Sequence, residues 1–251
     1  MKATTLIIIA GLFGLACKKT EPVTSDKKAE SIISVPLAVD FNPLFDTTHL
    51  EKVNIGELYL PTGEIVASDP FYMKDVEPFS TKVTSGTYPV EVLIFMVEEN
   101  HYRVAFAKIK FSESPAIRWE LAVTGNVTQA QLDSLETDEF FGYGVDAGLG
   151  CFADAETARI FNDVMSRYDK EHPDGNYYED ILAAEFTRSS QHPFSSDGGD
   201  WNNHFPKKGD KHNVIIFSSG WGDGAYATYW GFDPAGKVFE LITDFGVVGG
   251  E

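Results

Sequence analysis

The chain has 251 residues, of which 43% are hydrophobic, and its 20 Lys and Arg against 38 Asp and Glu give a net charge of −18. This length and apolar content suffice for one packed domain, whereas the negative charge argues against a protein that grips nucleic acid phosphates through a basic face. Two cysteines cannot supply the framework of a disulfide-rich miniprotein or a zinc knuckle. The composition therefore predicts an acidic globular domain whose partners do not include nucleic acid.

The first 16 residues have the pattern of a secretory signal peptide. A single lysine precedes an apolar run over residues 6–15, which is shorter than the roughly 20 apolar residues that a membrane-spanning helix needs. Residues 14–17 read Gly-Leu-Ala-Cys and resemble the bacterial lipobox, in which the cysteine after the cut is lipidated, although Gly14 stands where that motif usually has leucine. We predict lipidation of Cys17, and ordinary signal peptidase cleavage at this small-residue site is the alternative.

Residues 17–33 are polar and lack apolar periodicity, which predicts a flexible tether between the lipid on Cys17 and the folded part. Because several acyl chains hold a protein firmly, we expect an exported cell-envelope protein that is anchored to a membrane, faces the periplasm and has no cytosolic role. No linker-like composition divides residues 34–251, which predicts a single domain. This domain contains 15 Lys and Arg against 35 Asp and Glu, a net charge of −20.

Extended segments dominate the predicted domain. Two hairpins are expected in its first half, over residues 56–60 with 64–67 and over residues 87–97 with 103–111. Four further strands are expected at residues 116–123, 213–218, 225–232 and 237–244. Glycine-rich turns at residues 222–224 and 233–236 are predicted to join the last three of these strands as hairpins.

Helical signals are fewer. Thr128 and Gln131 have the spacing of a capping box, which predicts a short helix to about residue 136. Asp154 is expected to cap a longer helix, because apolar residues recur after it every three or four positions, and a third helix is expected over residues 178–186. Residues 191–210 are rich in Pro, Gly, Asp and Asn and predict an exposed loop. The predicted fold class is α+β, a mainly antiparallel sheet with two or three short helices.

Three segments combine glycine with residues that carry chemistry, at residues 141–154, 201–204 and 218–231. Glycine lets a backbone approach a ligand closely, and Asp and His ligate metals or transfer protons. Asp146, His204 and Asp223 are therefore the candidate catalytic residues, and a divalent cation is the cofactor that they would hold. Each has a second interpretation, because aspartates cap glycine turns and loop histidines are often only solvated.

Aromatic residues in the same segments predict a ligand-binding surface. Trp201, Trp221, Tyr229 and Trp230 are the candidates, because aromatic side chains line clefts for sugars and peptides, and cross-strand packing is the alternative. Cys151 lies just before the expected helix N-terminus, where a thiol pKa is lowered, but an isolated cysteine more often behaves as a small buried hydrophobe. The motifs of zinc proteases, α/β-hydrolases, P-loop proteins, dinucleotide-binding proteins and EF-hands are absent from the sequence.

Several sequence blocks resemble a bacterial family known as domain of unknown function 4241. The blocks are PTGEIVASDP at residues 61–70, YGVDAG at 143–148, GCFAD at 150–154, SSGWGDG at 218–224 and YWG at 229–231. They extend over about residues 56–245, so the resemblance covers the whole predicted domain. It implies that the segments rich in Gly, Asp and Trp belong together, and it supplies no catalytic residues.

Two functional hypotheses follow. In the first, a membrane-tethered domain presents an acidic cleft with aromatic walls to a peptide, a glycan or a partner protein. In the second, the domain is a hydrolase that uses Asp146, His204 and Asp223, with or without a divalent metal. The first is favoured because no recognisable catalytic motif is present and turn formation explains most of the Gly-Asp pairs.

Overall fold

The computed structural model describes residues 40–45, 50–113, 116–136, 139–189 and 201–248. The predicted signal peptide, Cys17, the tether and part of the predicted loop after residue 190 lie outside the described residues. Within these ranges, no helix combines the length and the apolar character that a membrane crossing requires.

Eleven strands and four helices are formed by the described residues. The strands are β1 (Leu50–Leu60), β2 (Ile65–Ser68), β3 (Gly86–Glu98), β4 (His101–Lys110), β5 (Arg118–Leu121), β6 (Gly142–Val145), β7 (Leu149–Asp154), β8 (Trp201–His204), β9 (Val214–Ser218), β10 (Gly224–Phe232) and β11 (Val238–Asp244). The helices are α1 (Asn42–Phe45), α2 (Gln129–Asp133), α3 (Ala155–Glu171) and α4 (Ala183–Ser189), and a π-helical turn (Tyr178–Leu182) leads into α4. The predicted α+β class is confirmed.

The strands form two antiparallel sheets. The larger sheet has the order β1-β3-β4-β11-β10-β5, and β6 also pairs with β10. The smaller sheet has the order β2-β7-β9-β8. The hairpins β3–β4 and β10–β11 were both expected from the sequence, and Gly236 in the second turn has φ +76°, a conformation that favours glycine.

Side chains that alternate along the short strands of the smaller sheet belong to two different hydrophobic cores, one on each face of the sheet. Phe152, Ile215 and Phe217 belong to the core that lies against the larger sheet, whereas Cys151 and Ile216 belong to the core beneath α3 and α4. Since side chains of a strand point alternately to opposite faces, a sheet that is covered on both sides needs continuous apolar runs. The runs in β2, β7 and β9 meet this need and place the smaller sheet in the middle of the domain.

Local capping signals predict the helix starts correctly. Thr128 and Gln131 form both bonds of the capping box before α2. The buried carboxylate of Asp154 accepts from the Glu156 backbone N–H at 2.9 Å and caps α3. The third predicted helix is present, but its first turn is π-helical rather than α-helical.

Three tertiary expectations are wrong. The segments around the turn at residues 61–63 do not form a hairpin, because β1 pairs with β3 and β2 pairs with β7. The predicted loop over residues 191–210 contains β8, a buried strand at the edge of the smaller sheet. The turn at residues 222–224 connects strands of different sheets, β9 and β10, and so is not a hairpin. In each case the strand partners are distant in sequence, and local turn signals do not specify them.

Candidate functional site

A buried carboxylate joins two loops at the ends of β2 and β6. Asp69 follows β2 and is 0% exposed. Its Oδ1 accepts from the backbone N–H of Phe71 at 2.9 Å, which closes a local turn. Its Oδ2 accepts from the backbone N–H groups of Asp146 and Ala147 at 3.0 and 2.9 Å. Asp69 thereby fixes the position of the loop that follows β6 relative to the loop that follows β2.

The two loops meet again through side chains at the surface. The hydroxyl of Tyr72, which is 57% exposed, donates to Oδ2 of Asp146 at 2.9 Å. This hydrogen bond to the carboxylate raises the pKa of Tyr72, so the phenol keeps its proton at neutral pH. No described residue bonds to Oδ1 of Asp146, which therefore remains available to a donor from a ligand.

Asp223 contacts the same loop from the other side. Its Oδ1 accepts from the backbone N–H of Gly148 at 3.2 Å, and Gly148 adopts φ +64°. Asp146 and Asp223 thus lie in one loop cluster, as the sequence blocks implied. The described residues nevertheless contain no group of three His, Cys, Asp or Glu side chains placed to hold a metal ion.

A cleft of about 640 Å³ opens beside this cluster. Its walls come from β2, from residues 72–79, from the segment after β5, and from β6 and β10. Tyr72, Phe79, Phe141 and Tyr143 supply aromatic surface, and Asp146 supplies the carboxylate. The remaining lining residues are mainly small or apolar, and they are Ala67, Ser68, Val76, Ala122, Thr124, Gly142, Gly144, Val145, Gly224 and Thr228. The cleft can therefore accept an apolar group and place a hydrogen-bond donor against the carboxylate.

His204, the last residue of β8, lies elsewhere, in a buried polar cluster with Tyr177 and with Glu185 of α4. Its Nδ1 is 2.7 Å from Oε2 of Glu185, and its Nε2 is 3.1 Å from the hydroxyl of Tyr177. Burial raises the pKa of Tyr177 to about 12, so this phenol keeps its proton, and both ring nitrogens of His204 lie within hydrogen-bond distance of a partner. Burial also raises the pKa of Glu185, but hydrogen bonds from His204 and Asn202 outweigh it and the net shift is downward.

The structure does not bring the three candidate catalytic residues together. His204 pairs with Val214 at the first residue of β9, whereas Leu149, next to the Asp223 contact, pairs with Ser218 at the last. Four residue steps along a strand separate these two points by about 13 Å. His204 also has the carboxylate partner that a functional histidine needs, but this partner is Glu185 rather than Asp146 or Asp223. The hydrolase hypothesis therefore has no assembled site among the described residues.

The predicted ligand-binding aromatics do not line the cleft either. Trp201 and Trp230 are buried in the main core, where Trp230 packs against Phe79. Tyr229 directly precedes Trp230 in β10, so the two side chains point to opposite faces of the sheet and cannot line one surface. Trp221 is 55% exposed and carries the guanidinium of Arg103 at 5.5 Å from its ring centre. For Trp201, Tyr229 and Trp230, packing within the fold explains the aromatic side chain.

Cys151 is a buried hydrophobe. It lies in the middle of β7 with 0% exposure, and burial raises the pKa of its thiol well above the usual value. Both observations argue against the nucleophile interpretation, because a reactive cysteine needs access and thiolate character.

A family model described as a protein of unknown function, DUF4241, matches residues 58–243. The chain belongs to this family. No curated protein and no solved structure matches the chain. The DUF4241 match begins in β1 and ends in β11, so it contains every wall of the cleft as well as the polar cluster around His204.

Four residues of the DUF4241 domain were missed as site residues by sequence reasoning. Asp69 was not among the candidates, although Asp-Pro after an apolar strand is a turn signal that points to side-chain capping of backbone N–H groups. Tyr72, Tyr177 and Glu185 gave no local signal, because their partners Asp146 and His204 are brought to them by tertiary packing.

Proposed function

We propose that the DUF4241 domain is a binding module that accepts an apolar group in the cleft and places a positively charged or donor group against Asp146. The main supporting observation is an open cleft of about 640 Å³ whose walls are aromatic and aliphatic and whose lining includes one carboxylate, that of Asp146. Ligand sites in proteins have volumes of this order, roughly 300–1,000 Å³, with few polar groups in an apolar lining.

Charge favours a cationic ligand. Residues 34–251 carry a net charge of −20, so the field of the domain attracts cations and repels anions. Oδ1 of Asp146 is free of described partners, and Tyr72 orients the carboxylate through Oδ2. A ligand ammonium or guanidinium next to an apolar group matches this arrangement.

The predicted location belongs to the same proposal. We infer that lipid on Cys17 and the tether of residues 17–33 hold the domain at a membrane of the cell envelope, facing the periplasm. Intact-mass analysis of the membrane fraction should show acyl chains on the mature N-terminus. A soluble protein whose Cys17 carries a free amine and a free thiol would contradict this part of the proposal and leave the binding function untouched.

A pair of small probes of opposite charge tests the binding function. We expect phenethylammonium to shift the NMR signals of cleft residues in the full chain and phenylacetate to leave them unchanged. Asp146→Asn should weaken phenethylammonium binding about two- to fivefold, as expected for one partly exposed charge pair. Asp75→Asn is the matched control, because Asp75 is exposed and does not line the cleft. Equal shifts from both probes, or shifts outside the cleft, would refute the proposal.

A further inference from the structure

The outer edge of β6 is not paired with any described strand. β6 pairs with β10 alone, at the margin of the larger sheet. The carbonyl of Thr228 in β10 accepts from the N–H of Ala122, which follows β5, so the backbone groups of Thr228 point toward the β5 and β6 side. Alternation along β10 gives Tyr226 the same direction, and its partner on β6 is Tyr143. The N–H and C=O of Gly144, one residue further along, therefore point away from β10.

Gly144 leaves the outward face of β6 uncovered beside this edge. It is exposed, and a Cβ built on it meets no atom within 4 Å apart from its chain neighbours. Gly142 differs, because a Cβ there would lie 2.3 Å from the carbonyl oxygen of Tyr226. The fold thus requires glycine at residue 142, whereas at residue 144 the absence of a side chain only leaves the outward face of β6 uncovered.

The outer edge of β2, which pairs with no described strand, lines the same cleft. In β2, the carbonyl of Ile65 accepts from the N–H of Phe79 at 2.9 Å, so the backbone groups of Ile65 point away from β7. Two residues later, Ala67 has the same direction and lines the cleft. β2 is an edge strand of the smaller sheet, and it is not paired with β6. Backbone donors and acceptors of both sheets thus border one apolar cavity.

We propose that an extended peptide segment occupies the cleft by adding a strand to the free edge of β6. The inference rests on the proposed function and specifies its ligand. Strand addition uses main-chain hydrogen bonds for affinity and pockets for alternate side chains for selectivity. Gly142 and Gly144 are exposed while Val145 is buried, so the even-numbered positions face outward, and Asp146 continues that series. A peptide side chain opposite Gly144 packs on this outward face over the glycine, which lines the cleft, and the next side chain on that face lies beside the carboxylate of Asp146.

The expected recognition pattern is an apolar residue and a lysine or arginine separated by one residue. An oppositely charged pair across neighbouring strands is favourable, and the net charge of −20 adds long-range attraction for a basic segment. The same charge disfavours a second copy of this chain at the edge, because two such domains repel each other. A basic, partly apolar segment of another protein is therefore the occupant.

A random-peptide selection on the immobilised full chain tests the proposal. Peptides are counter-selected on Gly144→Trp, in which the indole covers the outward face of β6 where the peptide side chain would pack. Selected peptides should contain the apolar-x-basic pattern in either direction and should lose at least about tenfold in affinity for Gly144→Trp. N-methylation should weaken binding about tenfold at alternate peptide positions and have little effect at the positions between them, because only every second amide bonds to β6. The preference for lysine and arginine should disappear in peptides selected on Asp146→Asn.

Each contrary outcome is distinguishable. Peptides that tolerate N-methylation at every position would overturn strand addition and leave the binding of small cationic probes standing. Failure to select any peptide that distinguishes the wild type from Gly144→Trp would overturn the peptide ligand. A wild-type dimer that Gly144→Trp converts to a monomer would identify a second copy as the occupant instead. Melting temperatures of both variants verify folding, and Asp146→Asn keeps the test decisive if the tryptophan variant does not fold.

Discussion

Replacement of Asp69 by asparagine is expected to destabilise the domain and to release one corner of the cleft. The asparagine Oδ1 can still accept from the N–H of Phe71. Its amide NH₂ then faces the backbone N–H groups of Asp146 and Ala147, which are donors as well. Two hydrogen bonds to a charged acceptor are therefore lost, and the loop after β6 must move.

The magnitude follows from these two bonds. A hydrogen bond to a charged group contributes about 1.5–3 kcal/mol to stability. Asp146 and Ala147 are exposed, so their freed N–H groups reach water and the lower end of this range applies to each bond. The expected loss is about 3 kcal/mol in the free energy of unfolding. For a domain of this size it corresponds to a decrease of roughly 6–12 °C in melting temperature.

Chemical and thermal unfolding of the full chain at pH 7 measure this loss. Asp75→Asn is the matched control, because Asp75 lies in the same segment, is exposed, and has φ 65°, which asparagine also adopts readily. The control should change the free energy of unfolding by less than about 0.5 kcal/mol. If Asp69→Asn is no less stable than Asp75→Asn, the carboxylate does not hold the two loops together and the reasoning is refuted.

Three further predictions concern the glycines of β6, the buried Glu240 and the half-buried Glu185. Gly142→Ala should lower the free energy of unfolding by about 2 kcal/mol or more, because its Cβ would clash with a backbone carbonyl. Gly144→Ala should change the free energy of unfolding by less than about 0.5 kcal/mol. Similar denaturation midpoints for the two variants would contradict this contrast. Glu240→Gln should lower the free energy of unfolding, measured in urea, by about 1–2 kcal/mol, because the buried Lys108 loses its closer carboxylate, at 3.4 Å, and keeps Glu91 at 3.9 Å. An unchanged midpoint would show that the closer pair is dispensable. The pKa of Glu185 is lowered by folding, so its stabilising contribution is present above about pH 4.5 and is lost as pH falls through the folded-state pKa. The stability difference between wild type and Glu185→Gln should accordingly shrink between pH 7 and pH 3, and a constant difference would exclude this linkage.

Local features of the fold were predictable from the sequence. The capping box at Thr128 and the cap at Asp154 satisfy backbone N–H groups within a few residues, so their signals are contained in short segments. The β10–β11 turn is specified by glycine and proline in the same way. The pairing of β2 was not predictable from its turn. Thr62 in that turn donates to Asp154, 92 residues later, and this contact and the pairing with β7 belong to the tertiary structure.

In the candidate site, too, the features that depend on local signals were predictable and those that depend on tertiary packing were not. Asp146 was a candidate from the sequence because it lies among glycines, and in the structure it directly follows β6. The partner of His204 was not, since Glu185 reaches it only when α4 packs beside β8. Sequence reasoning placed Trp201 and His204 in a solvated loop, because a four-residue strand with two central asparagines carries a weak strand signal.

Asp69 also determines how the cleft can deform. β2 and β6 belong to different sheets and do not pair, but hydrogen bonds through Asp69 join them at the end nearest Asp146. A motion that widens the cleft must therefore turn about this corner, and its amplitude grows toward Phe141 at the far end. We expect discrimination between ligand groups to be strictest beside Asp146 and most tolerant beside Phe141. The ligand group beside Asp146 must therefore match the carboxylate in charge and hydrogen bonding, whereas groups of different sizes are accepted beside Phe141.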